Sequence, residues 1–163
     1  MDYQRRDEVL RAYFLGKVWD RNPEFGRKRA VVTEGLPDLA EFPFLIEDEW
    51  ELSPGHTNEG RGDLVFADGA GRFAVVEVKD INFERSGRTA RSKRTSSRKL
   101  VKEQALRYAE AYCKRQSGAV EVVAFTLTPT GITRLASFRK QGAYIIKERF
   151  SPCSGEDCFP PGS

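Results

Sequence analysis

Apolar residues recur along the chain with two periods. Val9, Leu10, Tyr13, Phe14 and Val18 return at helical spacing behind Asp2, so the pattern predicts an amphipathic helix over 2–18 with Asp2 as its N-cap. A second helical stripe, Leu100, Val101, Ala105, Tyr108, Ala109 and Tyr112, predicts a helix from about Arg98 to Gln116, which Ser96 or Ser97 caps and Gly118 stops. Strand-like runs are Asp63–Ala67, Phe73–Lys79 (completed by 80–83) and Ala119–Thr128, and shorter pieces follow at 132–135 and 142–146. Residues 20–58 are less regular. Arg27–Thr33 reads as a short strand or a helix end, and Gly35-Leu-Pro37 breaks it. Phe42–Ile46 and Trp50–Leu52 read as apolar pieces packed under a sheet, and Ser53–Asn58 reads as a loop.

The run from Asp63 to Lys79 carries charge where a core belongs. Asp68-Gly-Ala-Gly71 turns the chain, and its glycines supply positive φ at little cost. The second arm is β-branched enough for a central strand, yet Glu77 and Lys79 interrupt it on one face. Ionised groups are seldom buried unless paired or bound to a metal. With a three-residue loop, Asp68 faces Arg72 and Asp63 faces Glu77, so two carboxylates meet beside one ammonium. With a two-residue loop, Asp63 pairs with Val76 and the constellation is lost. Two adjacent carboxylates repel unless a cation sits between them, and open oxygen sites suit Mg²⁺ or Mn²⁺.

Gly62-Asp63, a short hairpin and then Glu77-Val78-Lys79 resemble the core motif of the PD-(D/E)XK nucleases. A second element strengthens the likeness. Gln104 and Tyr108, one turn apart on a helix face, resemble the QxxxY motif of the exonuclease and resolvase-like branch. The resemblance covers about residues 1–128. It implies an α/β fold, a central mixed sheet with helices on both faces. It implies Asp63, Glu77 and the Val78 carbonyl as ligands of Mg²⁺ or Mn²⁺, and Lys79 as the group that orients the attacking water. Gln104 and Tyr108 then shape the site, and a first-helix glutamate, Glu8, joins the metal. The implied activity is hydrolysis of DNA phosphodiester bonds by an endonuclease, on branched, flapped or single-stranded substrates. An RNA-directed nuclease, or a non-catalytic nucleic-acid-binding module on the same fold, is the alternative. Many relatives cleave as dimers, which leaves a homodimer open.

Charge distribution sharpens the expected partner. Residues 85–115 hold eleven Lys and Arg against Glu103 and Glu110, a local +9, so the remainder of a chain of net charge +3 carries −6. Such a segment on a mildly acidic body fits a polyanion. Arg61, Arg91, Lys93, Arg94, Arg98, Lys99 and Lys102 are the residues expected to neutralise phosphates without reading sequence. Residues 84–97 are almost free of apolar side chains and read as a mobile basic loop.

The 163 residues read as one domain over 1–150, with a Pro/Gly/Ser-rich tail over 151–163 expected to be disordered. No apolar run is long enough to cross a bilayer, and no signal-peptide pattern opens the chain, so no membrane partner is expected. Three scattered cysteines argue against a disulfide framework and for an intracellular setting, nuclear if the source is eukaryotic. Cys113, Cys153, Cys158 and His56 fit no familiar zinc spacing. His56 and Glu59 read first as loop residues, with a phosphate contact or proton transfer as the functional alternative for His56 and a water-mediated metal ligand as that for Glu59.

Overall fold

Asp68 closes the hairpin that centres the sheet. Its Oδ1 accepts from the backbone N–H groups of Ala70 (2.7 Å) and Arg72 (3.0 Å), and its own N–H donates to the Arg72 carbonyl at 3.1 Å. The loop is therefore three residues long, with Gly69 and Gly71 at φ 84° and 99°. Strands β2 (Arg61–Ala67) and β3 (Arg72–Val78) pair antiparallel in the expected register, Ala67 with Phe73 through Leu64 with Val76.

The computed structural model describes residues 1–17, 21–82 and 84–151. The protein is α/β, a six-stranded mixed sheet with helices on both faces. The order is β1 (Phe44–Glu51), β2, β3, β4 (Glu121–Thr128), β5 (Gly131–Gln141) and β6 (Tyr144–Arg149). Only β3 and β4 run parallel, and α3 (Arg88–Arg115) makes the crossover that parallel neighbours require. Both central strands are buried along nearly their whole length, as their Val-rich sequences dictate.

Alternation along the strands divides the core in two. Leu64, Phe66, Ala74, Val76, Val123 and Phe125 meet Phe14 of α1 (Tyr3–Gly16) and Phe25, Val31 and Val32 of α2 (Pro23–Glu34). Val65, Phe73, Val75, Val122 and Phe138 meet Tyr108, Ala109 and Tyr112 of α3 on the other side.

Several expectations are corrected. Arg27–Thr33 takes the helical of its two readings, as the later part of α2, which Asn22 begins by accepting from the Phe25 N–H and Gly35 ends. Residues 44–51 are an edge strand of the sheet, not pieces beneath it. Residues 79–82 do not extend β3, which ends at Val78. Asp2 does cap α1, accepting from the Arg5 N–H at 3.0 Å, but Val9 and Tyr13 are exposed and Phe14 alone is buried. Polar contacts hold α1 instead. Asp7 accepts from the Leu45 N–H at 2.6 Å, and Arg6 donates to the Ile46 carbonyl at 2.8 Å, beside a bulge in β1.

The basic segment is also helical. α3 begins at Arg88 and runs for 28 residues, so a loop over 84–97 survives only as 84–87. No Gly or Pro lies between Arg88 and Arg115, and the packed C-terminal half nucleates a helix that extends cheaply through Arg, Lys and Ala. The 151–163 tail, with Cys153 and Cys158, lies outside the described residues from 152 onward, as does Val18.

Gly62 is where the sheet is tightest. A Cβ there would lie 2.4 Å from the Trp50 indole, which is wedged edge-on against Tyr108 and Tyr112. Gly62→Ala is expected to destabilise by about 1–3 kcal/mol in urea denaturation. Gly26→Ala, in α2 with nothing within 4 Å, is expected to stabilise by about 0.5–1 kcal/mol.

Candidate functional site

Continuing the β2–β3 register by one residue sets Asp63 opposite Glu77, where the backbone ladder stops. Asp63 substitutes its side chain for the missing rung, with Oδ2 accepting from the Val78 N–H at 2.7 Å. Its Oδ1 lies 2.7 Å from the Lys28 ammonium. Lys28 projects from the inner face of α2, between Phe25 and Val32, and is only 5% exposed. The same ammonium lies 3.3 Å from Asp48 and 3.7 Å from Glu49.

The bulge between Leu45 and Glu47 brings Asp48 to this side. Glu47 turns towards α3, where it accepts from the Tyr112 hydroxyl and pairs with Arg115, so the next residue faces α2. Glu49, at φ 49°, then returns Trp50 to the α3 side. Left-handed backbone is uncommon outside Gly, Asn and Asp, and here it falls beside the acidic cluster.

Glu77 is 7% exposed and continues the Phe73–Val75 alternation. Its Oε2 and the Trp50 Nε1 are the buried side-chain polar atoms that find no hydrogen-bond partner among the described residues. Burial pushes the Glu77 carboxyl up to about 9, and the Asp63 charge adds to the rise against the pull of the Asp63 N–H, Lys28 and Lys79. Burial also raises Asp63 and Asp48, although Lys28 opposes it in both. For Lys28, burial disfavours the charged form but is outweighed by the three carboxylates, Asp63 foremost, so its value rises.

Lys79 does not reach Asp63 or Glu77 with a hydrogen bond. It is anchored by Glu24 at the start of α2 (2.8 Å), and this bond raises its value. Arg27 and Asp80 add a second tie, at 2.9 Å, between α2 and the segment after β3. Tyr108 is buried against Trp50, and its hydroxyl accepts from Arg107 at 3.4 Å and sits against Gly60. Gln104 is half-buried. Neither makes a hydrogen bond to Lys79 or the carboxylates. Glu8 is exposed on α1 and accepts from Gln4 at 3.2 Å. His56 is exposed, and Glu59 accepts from the Ser53 hydroxyl.

Arg61 is drawn towards Glu49 and Glu51. Arg91, Lys93, Arg98, Lys99 and Lys102 are exposed on the first half of α3, with Lys99 3.9 Å from Glu103. Arg94 is half-buried and donates to the Arg85 carbonyl at 2.7 Å. Arg85, Lys93 and Arg94 also wall a cavity of about 200 Å³ whose floor is Asp80, Ile81 and Asn82, so the basic helix begins directly beyond Lys79.

Lys28, Asp48 and Glu24 were not among the residues singled out from the sequence. Each left a trace. A lysine stands in the Phe25–Val32 apolar stripe, and an acidic triplet, Glu47-Asp-Glu49, interrupts an apolar run. Both signals needed α2 and β1 to be recognised first.

Among the described residues, no three His, Cys, Asp or Glu side chains converge closely enough to form a metal cage. Asp63 and the unpartnered Glu77 Oε2 nonetheless supply the two hard oxygen donors that Mg²⁺ or Mn²⁺ needs when waters complete the shell. No family model, curated protein or solved structure matches the chain. No helix of the described residues is long and apolar enough to cross a membrane.

The raised Glu77 value sets a pH dependence. Between pH 4.5 and about 9 the folded protein holds a proton that the unfolded chain has released, so stability falls as pH rises through that window. Thermal midpoints of the metal-free protein are expected to decline across it. Glu77→Gln, which keeps the shape and cannot ionise, is expected to flatten the decline, and an unchanged slope would rule Glu77 out as its source.

Proposed function

We propose that the protein is a divalent-metal-dependent nuclease of the PD-(D/E)XK kind that hydrolyses nucleic-acid phosphodiester bonds, with DNA as the favoured substrate. The observation that carries this reading is Asp63 set against a buried Glu77 whose Oε2 has no partner, at the end of the hairpin and beside a basic helix. Asp63, Glu77 and the Val78 carbonyl would hold Mg²⁺ or Mn²⁺. When bound, the ion lowers the pKa of the attacking water and stabilises charge on the phosphorus oxygens. Lys79, steadied by Glu24, orients that water from the strand's end. The first half of α3 binds the phosphate backbone through charge and so reads shape rather than base sequence. A preference for branched, flapped or single-stranded DNA comes from the family likeness alone.

One observation favours a second reading, a binding module without catalysis. Both Asp63 oxygens are engaged, by Lys28 and by Val78, and Lys79 is paired with Glu24.

Cleavage of labelled single-stranded, duplex, flapped and four-way-junction DNA, with RNA alongside, tests the two in Mg²⁺, Mn²⁺, Ca²⁺ or EDTA. Activity is expected with Mg²⁺ or Mn²⁺ only, and Asp63→Asn, Glu77→Gln and Lys79→Ala should each lower it by at least about a hundred-fold. Circular dichroism confirms that the variants fold. Binding without cleavage in every metal would leave the module. Salt titration of binding provides a separate check on α3. Replacing Arg91 and Lys102 by Gln should lower the log–log salt slope by about 1 each and weaken all sequences alike.

A further inference from the structure

Lys28 places a positive charge where a metal would have to go. Its ammonium has three N–H donors, and three carboxylates stand around it, Asp63 at 2.7 Å, Asp48 at 3.3 Å and Glu49 at 3.7 Å. The side chain is buried, so the charge is retained only because those carboxylates replace water. On the far side of Asp63 the account does not close. Glu77 is buried too, yet its Oε2 faces no donor, and Lys28 leaves it unserved. Lys28 thus serves Asp63, Asp48 and Glu49, while one buried oxygen of the facing Glu77 has no hydrogen-bond partner.

A divalent ion shared by Asp63 and Glu77 must compete for Asp63, whose Oδ2 is committed to the Val78 N–H. Oδ1 is the atom at which an arriving ion would meet a resident cation, because Lys28 holds it at 2.7 Å. Two cations cannot share it closely without strong repulsion. Lys28 has somewhere else to go, because Asp48 and Glu49 already stand 3.3 Å and 3.7 Å from its ammonium.

We propose that Lys28 is a tethered competitor of the metal, occupying Asp63 while the site is metal-free and passing to Asp48 and Glu49 when a divalent ion binds. The inference rests on the metal-site reading above and adds Lys28 and Asp48 as positioning residues that set the site's affinity. Lys28 keeps Asp63, Asp48 and Glu49 from repelling one another when no ion is present. Asp48 receives the displaced charge, so the ammonium never has to return to water.

The test is titration of the full chain with Mn²⁺ alone, the free ion being read by electron paramagnetic resonance, without nucleic acid. Lys28→Met removes the competitor and keeps the stem's volume, and Lys28→Gln serves if the methionine variant does not fold. Either is expected to bind Mn²⁺ about tenfold more tightly than wild type, and Asp48→Asn, which removes the receiver, about tenfold less tightly. Asp63→Asn should abolish binding in both backgrounds. A merely structural lysine gives the opposite sign, since its loss loosens the site and weakens Mn²⁺. Weaker or unchanged affinity in the folded Lys28 variants overturns the proposal, as does absence of Mn²⁺ binding in wild type and Lys28 variants alike. Tighter binding in a protein that cleaves nothing removes the nuclease reading and leaves this one standing.

Discussion

The β2–β3 register is the constraint on which the rest depends. Asp68 locks it by holding the Ala70 and Arg72 N–H groups, and the loop is pinned from outside by the Val120 N–H, which donates to the Gly71 carbonyl at 2.8 Å. A slip of one residue would turn every side chain of a strand to the other face. It would put Val65 or Val75, according to the strand that moves, against α2 and carry Asp63 away from Glu77. The turn that orders the core and the turn that builds the site are the same turn.

Two buried glutamates show what the site costs. Glu121, at the start of β4, is met by Arg72 and Arg139, each at 2.9 Å. Burial alone would raise its value, but those bonds win and lower it. Glu77, equally buried on the neighbouring strand, has no such partner and rises to about 9. The fold therefore can satisfy a buried carboxylate, and at Glu77 it does not. An unpartnered buried carboxylate, a left-handed Glu49 and a buried lysine are thus gathered at one end of the sheet, the kind of local exception that accompanies a functional site.

α3 joins two tasks in one element. Its second half packs Tyr108, Ala109 and Tyr112 onto the sheet and carries the crossover from β3 to β4. Its first half projects arginine and lysine, with little apolar surface of its own. A helix holds those charges at fixed spacing, so the proposed contact with a polyanion would cost less entropy than ordering a loop. Tyr108 belongs to the packing half. Its hydroxyl lies against Gly60, and the Lys79 ammonium is held by Glu24 of α2, while the Lys79 N–H donates to the Leu127 carbonyl of β4.

Period-two alternation, the glycine-bearing turn and the Val-rich runs determined the hairpin, the two central strands and the second half of α3. These are local signals, because a strand's faces and a turn's φ angles are written in adjacent residues. The facing of Asp63 and Glu77 was legible for the same reason, since a three-residue loop sets it by counting. Tertiary structure decided what those carboxylates meet. Lys28 and Glu24 arrive from a helix about fifty residues upstream of Glu77, and Asp48 is turned inward by a bulge that no periodicity announces. It also turned Glu8 outward to Gln4, and it extended α3 through the basic run, because packing of the distant half stabilises a segment that has no stripe of its own.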